Sequence, residues 1–263
     1  MTKFLGISGA KKAGKTMTIE YLTPILAKKG LVIGTIKIPF KAVEVDVNKE
    51  GYDIIRLRKS SSKKTLFKSS VDTTIFYNEE LTQREAFEEF SRDLDLVLIE
   101  GFKEDLEGIP QIVLLKEKNQ EEKYTDEYTT AISSIPEYDV KSSHPNFVPF
   151  NRLAEIVEEK ALPLFPDLNC GHCGYDNCNQ LVKAIIAGEK DVDDCEILRQ
   201  KTQEFTLKIN NREIPCNPFV RTIFKNVILG VVKSLKMDSK KIELISLNFL
   251  NKKSEEHNQK EKE

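Results

Sequence analysis

The chain is predicted to be an α/β protein built on a mainly parallel sheet, followed by a small cysteine-rich domain and a C-terminal α+β segment. Three observations lead there. Over residues 1–160, short apolar runs alternate with segments of helical periodicity, the pattern of strands joined by crossover helices and covered on both faces. The first apolar run leads into Gly9-Ala10-Lys11-Lys12-Ala13-Gly14-Lys15-Thr16, which fits the G-x-x-x-x-G-K-S/T pattern of a phosphate-binding loop between a strand and a helix. Four of the five cysteines fall between Cys170 and Cys195, beyond a proline-marked boundary.

Each element has a local reason. Lys3 to Ser8 is a short apolar run that ends in the glycine loop and reads as a buried strand. Thr16 to Lys29 places Ile19, Leu22, Ile25 and Leu26 on one helical face, and Gly30 stops it. Leu31 to Ile36 is the next strand. Thr65 to Phe67 and Thr73 to Tyr77 read as strands, with Ser69, Ser70 and Asp72 between them. Gln83 to Arg92 is a helix, and Asp95 to Ile99 and Gln111 to Leu115 are strongly apolar strands. Asn151 to Lys160 is a helix carrying Leu153, Ile156 and Val157. The two prolines of Leu162-Pro163-Leu164-Phe165-Pro166-Asp167 favour an extended linker. Beyond the cysteines, Glu204 to Ile209 alternates as a strand and Asn210-Asn211 is a turn. Asn217 to Lys236 is a long helix expected to bury Val220, Ile223, Phe224, Val227, Val231 and Leu235, and Lys241 to Leu247 is a last strand. The expected domains are therefore 1–161, 168–200 and 203–250, with a polar, disordered tail over 251–263.

Composition narrows the function classes. Hydrophobic residues make up 40% of the 263 and charged residues 31%, typical of a soluble globular chain long enough for a real core. Forty basic residues against forty-two acidic ones give a charge of -2, so no global field attracts nucleic acid or an anionic membrane. Apolar runs such as Val227 to Val232 are too short to span a bilayer. The glycine loop interrupts the N-terminus before an apolar signal segment can form, which predicts a cytoplasmic protein. An odd number of clustered cysteines reads as a metal site, not a disulfide scaffold.

In a phosphate loop, the backbone N–H groups and the helix N-terminus surround the β-phosphate, the lysine reaches the β- and γ-phosphates, and the hydroxyl ligates Mg2+. Those roles fall to Gly9 through Gly14, to Lys15 and to Thr16. Glu100 ends the strand Asp95-Leu96-Val97-Leu98-Ile99-Glu100, where its carboxylate would lie beside the loop. It is the candidate to hold Mg2+ through water or to orient an attacking water, while Asp95 caps the strand start. Asn48-Lys49-Glu50-Gly51 lacks the Asp of an N-K-x-D guanine reader, so base preference is not legible from residues alone.

These features in order resemble the molybdopterin-guanine dinucleotide biosynthesis protein B family, a GTP-binding accessory family of molybdenum cofactor maturation. The resemblance rests on Gly9 to Thr16, on Lys37 after the second strand, on Asp46, Gly51, Asp53, Arg56 and Arg58, and on Glu100-Gly101-Phe102-Lys103. It covers about residues 1–160, and the chain departs from the family's usual residues at Ile38, Ile54 and Ser61. It implies GTP binding that draws on Lys37, Asp46, Asp53 and Arg56, an adaptor role toward a cofactor synthase or a molybdo- or tungsto-enzyme, and a homodimer. Arginines at Arg56 and Arg58 would suit phosphate oxygens.

Cys170, Cys173, Cys178 and Cys195 follow C-x2-C-x4-C-x16-C. Four thiolates can enclose a [4Fe-4S] cluster or a tetrahedral Zn2+. A single C-x-x-C pair plus a remote cysteine favours iron, and Gly171 and Gly174 allow a tight wrap. Residues 168–198 also resemble the four-cysteine iron–sulfur domain of corrinoid iron–sulfur proteins and of Rnf-complex B subunits, including Ala184-Ile185-Ile186-Ala187-Gly188-Glu189 before the last cysteine. Cys216 reads as a packing residue, and His144, His172 and His257 as surface. The expected whole is a GTP-binding adaptor with weak GTPase activity at most and a fused iron–sulfur module. The alternative is an ATP-dependent electron-transfer or metallocluster-insertion protein in which nucleotide state gates the cluster. Such proteins carry a second lysine five positions before the loop lysine, where this chain has Ala10.

Overall fold

The computed structural model describes residues 1–39, 52–58, 60, 63–101, 103–199, 205–209, 212–235 and 245–247. The chain divides into two compact units, Met1–Pro218 and Phe219–Glu263.

The first unit is a parallel sheet formed by β1 (Lys3–Gly9), β2 (Ile33–Lys37), β5 (Leu96–Glu100), β6 (Gln111–Leu114) and β7 (Thr129–Ser133), in the order β2-β5-β1-β6-β7. Helix α1 (Lys15–Ala27) crosses from β1 to β2, and α2 (Tyr52–Arg58) precedes the hairpin of β3 (Lys64–Lys68) and β4 (Thr73–Tyr77). Helix α3 (Gln83–Phe90) leads into β5, a short α4 (Glu121–Tyr124) lies between β6 and β7, and α5 (Leu153–Lys160) follows β7. The N-cap Thr82 accepts from the Glu85 N–H and Glu85 reaches back to the Thr82 N–H, which fixes where α3 begins.

Alternation along the strands gives the sheet two apolar faces. Leu5, Ile7, Leu96, Leu98, Ile112 and Leu114 pack under Ile19, Leu22 and Leu26 of α1 and Leu153 and Val157 of α5. Phe4, Val97 and Ile99 turn the other way and meet Phe87 of α3 with Leu106 and Ile109. Each fully buried aliphatic side chain contributes about 1.5–3 kcal/mol relative to exposure. The expected two-sided parallel sheet is thus the fold observed.

Four features differ from or add to the expectation. Strand β7 was not foreseen: Thr129-Thr130-Ala131-Ile132-Ser133 has a single large apolar residue, yet it edges the sheet against β6. Among the described residues, strands β3 and β4 pair only with each other, as an antiparallel hairpin turned by Ser69 through Asp72. The linker expected at Leu162 is instead a short strand, β8 (Leu162–Pro163), antiparallel to Lys3 and Phe4 at the start of β1, and Phe165 beyond it is buried. The cysteine segment continues with α6 (Cys178–Ile186) and α7 (Glu196–Arg199), then the paired strands β9 (Leu207–Ile209) and β10 (Arg212–Ile214).

The last helix, α8 (Pro218–Ser234), forms where the periodicity predicts, but the expectation that it buries its apolar face is corrected. Phe219, Ile223, Phe224, Val227, Val231 and Leu235 are all exposed. Helical spacing specifies an apolar face; it does not supply a surface to cover it. The turn expected at Asn210-Asn211, most of the strand expected at Lys241 to Leu247, and the tail from 251 lie outside the described residues, while 245–247 carry no strand. Among the described residues, no helix is long and apolar enough to cross a membrane.

Candidate functional site

Parallel register brings three strand ends to one edge. Glu100 lies opposite Lys37 on β2 and Ile7 on β1, just below the loop that follows Gly9. The loop's backbone explains its glycines. Gly9 has φ +129°, and a Cβ there would stand 2.3 Å from the Leu114 carbonyl oxygen. Gly14 has φ +89°, and a Cβ would stand 2.6 Å from Ile135. The first turn of α1 carries no acidic side chain of its own, so the positive end of the helix is directed at the loop.

Within that frame the charged groups converge. Lys15 is buried, and its ammonium donates to the carbonyls of Gly9 and Ala10 at 2.9 Å each. Burial holds its pKa below the usual lysine range; Glu100 opposes this shift and Lys37 adds to it. Thr16 Oγ1 donates to Glu100 Oε2 at 2.6 Å, and Lys37 Nζ donates to Glu100 Oε1 at 2.9 Å. A hydroxyl and a carboxylate side by side at the mouth of the loop form an oxygen donor set of the kind Mg2+ takes, with room for water. Ala13 is buried, Lys11 and Lys12 are exposed, and the Lys12 carbonyl accepts from the Tyr138 hydroxyl at 2.6 Å. Asp95 lies at the opposite end of β5, where its carboxylate accepts from the Val32 N–H.

Of the third family feature Asp46 and Gly51, and of the fourth Phe102, lie outside the described residues. Asp53 and Arg56 fall in α2, Arg56 is exposed, and α2 rests on β3 with the Arg58 guanidinium 4.5 Å above the Phe76 ring. Sequence reading missed the segment after β7. Ile135 packs on Gly14, and Tyr138 holds Lys12; the signal was the Ser-Ser-Ile-Pro punctuation at 133–136 after an unrecognised strand.

The four cysteines gather at a second place. Cys170, Cys173, Cys178 and Cys195 line one pocket with Pro166, Tyr175 and Leu181. Gly171 and Gly174 have φ +70° and +87°, and the Gly174 N–H donates to the Gly171 carbonyl, which wraps Cys170 and Cys173 into a tight turn. Cys178 opens α6, whose N-cap Asn177 accepts from the Gln180 N–H. A thiolate there is favoured by the helix N-terminus. Cys195 is the buried corner; burial pushes its thiol up, and the backbone N–H groups of Leu198 and Ile197 oppose that. The four thiols ring the pocket, and this donor set fits an iron–sulfur cluster. His172 is exposed, and its ring nitrogen lies 3.1 Å from the Cys170 carbonyl. Cys216 is buried apart from the others, as expected for packing.

The cysteine module sits on the sheet at its strand starts. Tyr128, Leu162 and Phe165 share an apolar cluster with Leu181, Val182 and Cys195. Asn179 donates to Glu107 at 3.0 Å, Lys183 pairs with Glu127 at 3.2 Å, and Arg84 donates to the Phe165 carbonyl.

Comparison with known proteins agrees with both regions. Residues 4–135 match the family model described as molybdopterin guanine dinucleotide synthesis protein B, and residues 165–197 match the one described as "Putative Fe-S cluster". A relative from Methanocaldococcus jannaschii, named "Putative molybdopterin-guanine dinucleotide biosynthesis adapter protein", is 32% identical over 89% of this chain and 92% of its own length. The molybdopterin-guanine dinucleotide biosynthesis adapter protein of Haemophilus influenzae is 29% identical over 59% of this chain and 85% of its own. The crystal structure of Bacillus subtilis MobB aligns with a TM-score of 0.48 at 21% identity, covering 60% of this chain and 95% of that one. Both named relatives are adapters, which does not favour the electron-transfer alternative. With its first half matched by the family model and a relative matched nearly end to end, the chain belongs to the molybdopterin guanine dinucleotide synthesis protein B family and carries an iron–sulfur region fused behind it.

Proposed function

We propose that this chain is a GTP-binding adapter of molybdenum or tungsten cofactor biosynthesis, acting in the formation or delivery of molybdopterin guanine dinucleotide, with a fused [4Fe-4S] module. The observation that carries the reading is the convergence of Lys15, Thr16, Glu100 and Lys37 on one strand edge around the glycine loop. A triphosphate would draw the Lys15 ammonium from the loop carbonyls onto its β- and γ-oxygens, while the loop N–H groups and the α1 N-terminus bear on the β-phosphate. Thr16 and Glu100 would hold Mg2+, which supplies charge neutralisation between the outer phosphates. Glu100 could orient a water. Attack on the γ-phosphate also needs a cation on the developing charge; among the described residues the cations bonded at this edge are Lys15 and Lys37, which already serve the loop and Glu100, so turnover is expected to be slow. Asp46, Asp53 and Arg56 are assigned to an element that closes on nucleotide or on a second copy of the chain, in keeping with a homodimer.

Four thiols around one pocket, with the C-x2-C-x4-C-x16-C spacing, support an iron–sulfur cluster over zinc, and the resemblance of residues 168–198 to the corrinoid and Rnf-type domains is what supports its four-iron form. The adapter names of both relatives support the pathway. The nucleotide site is tested by GTP titration with and without Mg2+: Lys15→Ala is expected to abolish binding, and unchanged affinity overturns the site. The module is tested by iron, zinc and acid-labile sulfide in anaerobically purified protein. About four irons and four sulfides per chain are expected; one zinc without sulfide overturns the cluster.

A further inference from the structure

The base end of the nucleotide can be located from the metal end. Thr16 and Glu100 mark the β5 side of the loop as the metal side. A nucleotide lying along the C-terminal strand edge must then carry its base the other way, past the ends of β6 and β7. There the chain is laced into a fixed surface. The Leu115 N–H donates to the Ser133 carbonyl at 2.8 Å, the Lys116 N–H to Gln120 Oε1 at 3.1 Å, and the Tyr138 N–H to the Ile135 carbonyl at 3.1 Å. The Tyr138 ring is half-buried, its hydroxyl is bonded to Lys12 in the loop, and the Lys116 ammonium lies 5.7 Å from its centroid.

We propose that Tyr138 and Lys116 form the nucleobase subsite, a purine seating its face against the Tyr138 ring and the aliphatic stem of Lys116. An aromatic ring tied by its hydroxyl to the phosphate loop fixes the distance between a base platform and the phosphates. Stacking on a side-chain ring accepts any purine, so this subsite contributes affinity for the base and leaves the choice of guanine to edge contacts.

The inference rests on the loop being the phosphate site, and the test separates the two. GTP and inorganic tripolyphosphate, each with Mg2+, are titrated into the full-length chain and its variants, with folding checked by thermal melting. Tyr138→Ala and Lys116→Ala are each expected to weaken GTP about tenfold, within the range of a lost base stack, and to leave tripolyphosphate within about twofold. Tyr138→Phe, which keeps the ring and drops the bond to Lys12, is expected to weaken GTP by less than Tyr138→Ala does and to leave tripolyphosphate within about twofold. Equal loss of GTP and tripolyphosphate in the alanine variants, or unchanged GTP, overturns the subsite. Should Tyr138→Ala fail to fold, the half-exposed Lys116→Ala still decides. Lys15→Ala is expected to lose both probes; if it keeps both, the phosphate assignment fails, whatever Tyr138 does.

Discussion

The two candidate sites occupy opposite ends of one sheet and are built in opposite ways. At the strand ends, Glu100, Lys37 and the loop are placed by parallel register, and their polar groups are bonded to one another. At the strand starts, the cysteines ride on turns and on helices of nine and four residues, lengths that do not hold themselves in water. That module has a small apolar seat on Tyr128, Leu162 and Phe165, and the group its thiols hold has to complete it. The phosphate edge is therefore finished by the polypeptide, and the cysteine edge by its ligand.

The largest expected effect follows from that contrast. Cys178→Ser removes, at the start of α6, one of the four thiols proposed to hold the cluster. Iron per chain should fall by more than half, and limited proteolysis should open between 165 and 199. GTP affinity should move less than about threefold, since distant sites add independently. A comparable loss of GTP binding would show that the two edges are one cooperative structure. The converse substitution, Gly9→Ala, forces a Cβ within 2.3 Å of a backbone oxygen at φ +129°. It should destabilise the chain by about 3 kcal/mol or more and abolish GTP binding. Denaturant melts with and without GTP test it, and a stable variant that binds normally would mean the loop relaxes freely.

How much of this was legible follows the same division. The phosphate edge could be read because its signals are local: a spaced glycine pair, a lysine and hydroxyl, and an apolar strand ending in Glu100. The cysteine spacing announced its ligand but not its seat, because Asn179–Glu107 and Lys183–Glu127 join residues far apart in sequence. Strand β7 escaped because a lone Ile132 among small and hydroxyl residues carries no period, yet register against β6 buries it. Missing that strand also hid Tyr138. The opposite error came at α8, whose apolar period is strong and whose face is nevertheless exposed.

An intermediate effect is expected at the cysteine edge. Tyr128 is buried, and burial, with Glu107 as the next cause, pushes its phenol up to about 12 from an ordinary 10.0. A raised folded-state pKa means that the neutral phenol is favoured on folding. The contribution is fully present below pH 10 and is lost as pH rises through about 12. Two pH units correspond to about 3 kcal/mol. Urea midpoints at pH 9 and pH 12 should fall further for the wild type than for Tyr128→Phe, which cannot ionise. Equal falls would place the alkaline sensitivity elsewhere, for instance in the lysines of the phosphate edge.

The smallest effect separates bracing from binding at the phosphate edge. Lys37 is largely exposed, with 63% of its side chain accessible against 13% for Glu100, so solvent screens the pair from one side and it contributes about 1 kcal/mol. Lys37→Ala should therefore lower the melting temperature by no more than about 2 °C. Its charge nevertheless stands next to the carboxylate proposed to face the outer phosphates. Loss of one such cation should weaken GTP severalfold, about 1 kcal/mol. If affinity falls while the melt does not, Lys37 is a ligand that waits on Glu100. If both fall together, it is a brace, and the phosphate edge is less complete without its nucleotide than its hydrogen bonds indicate.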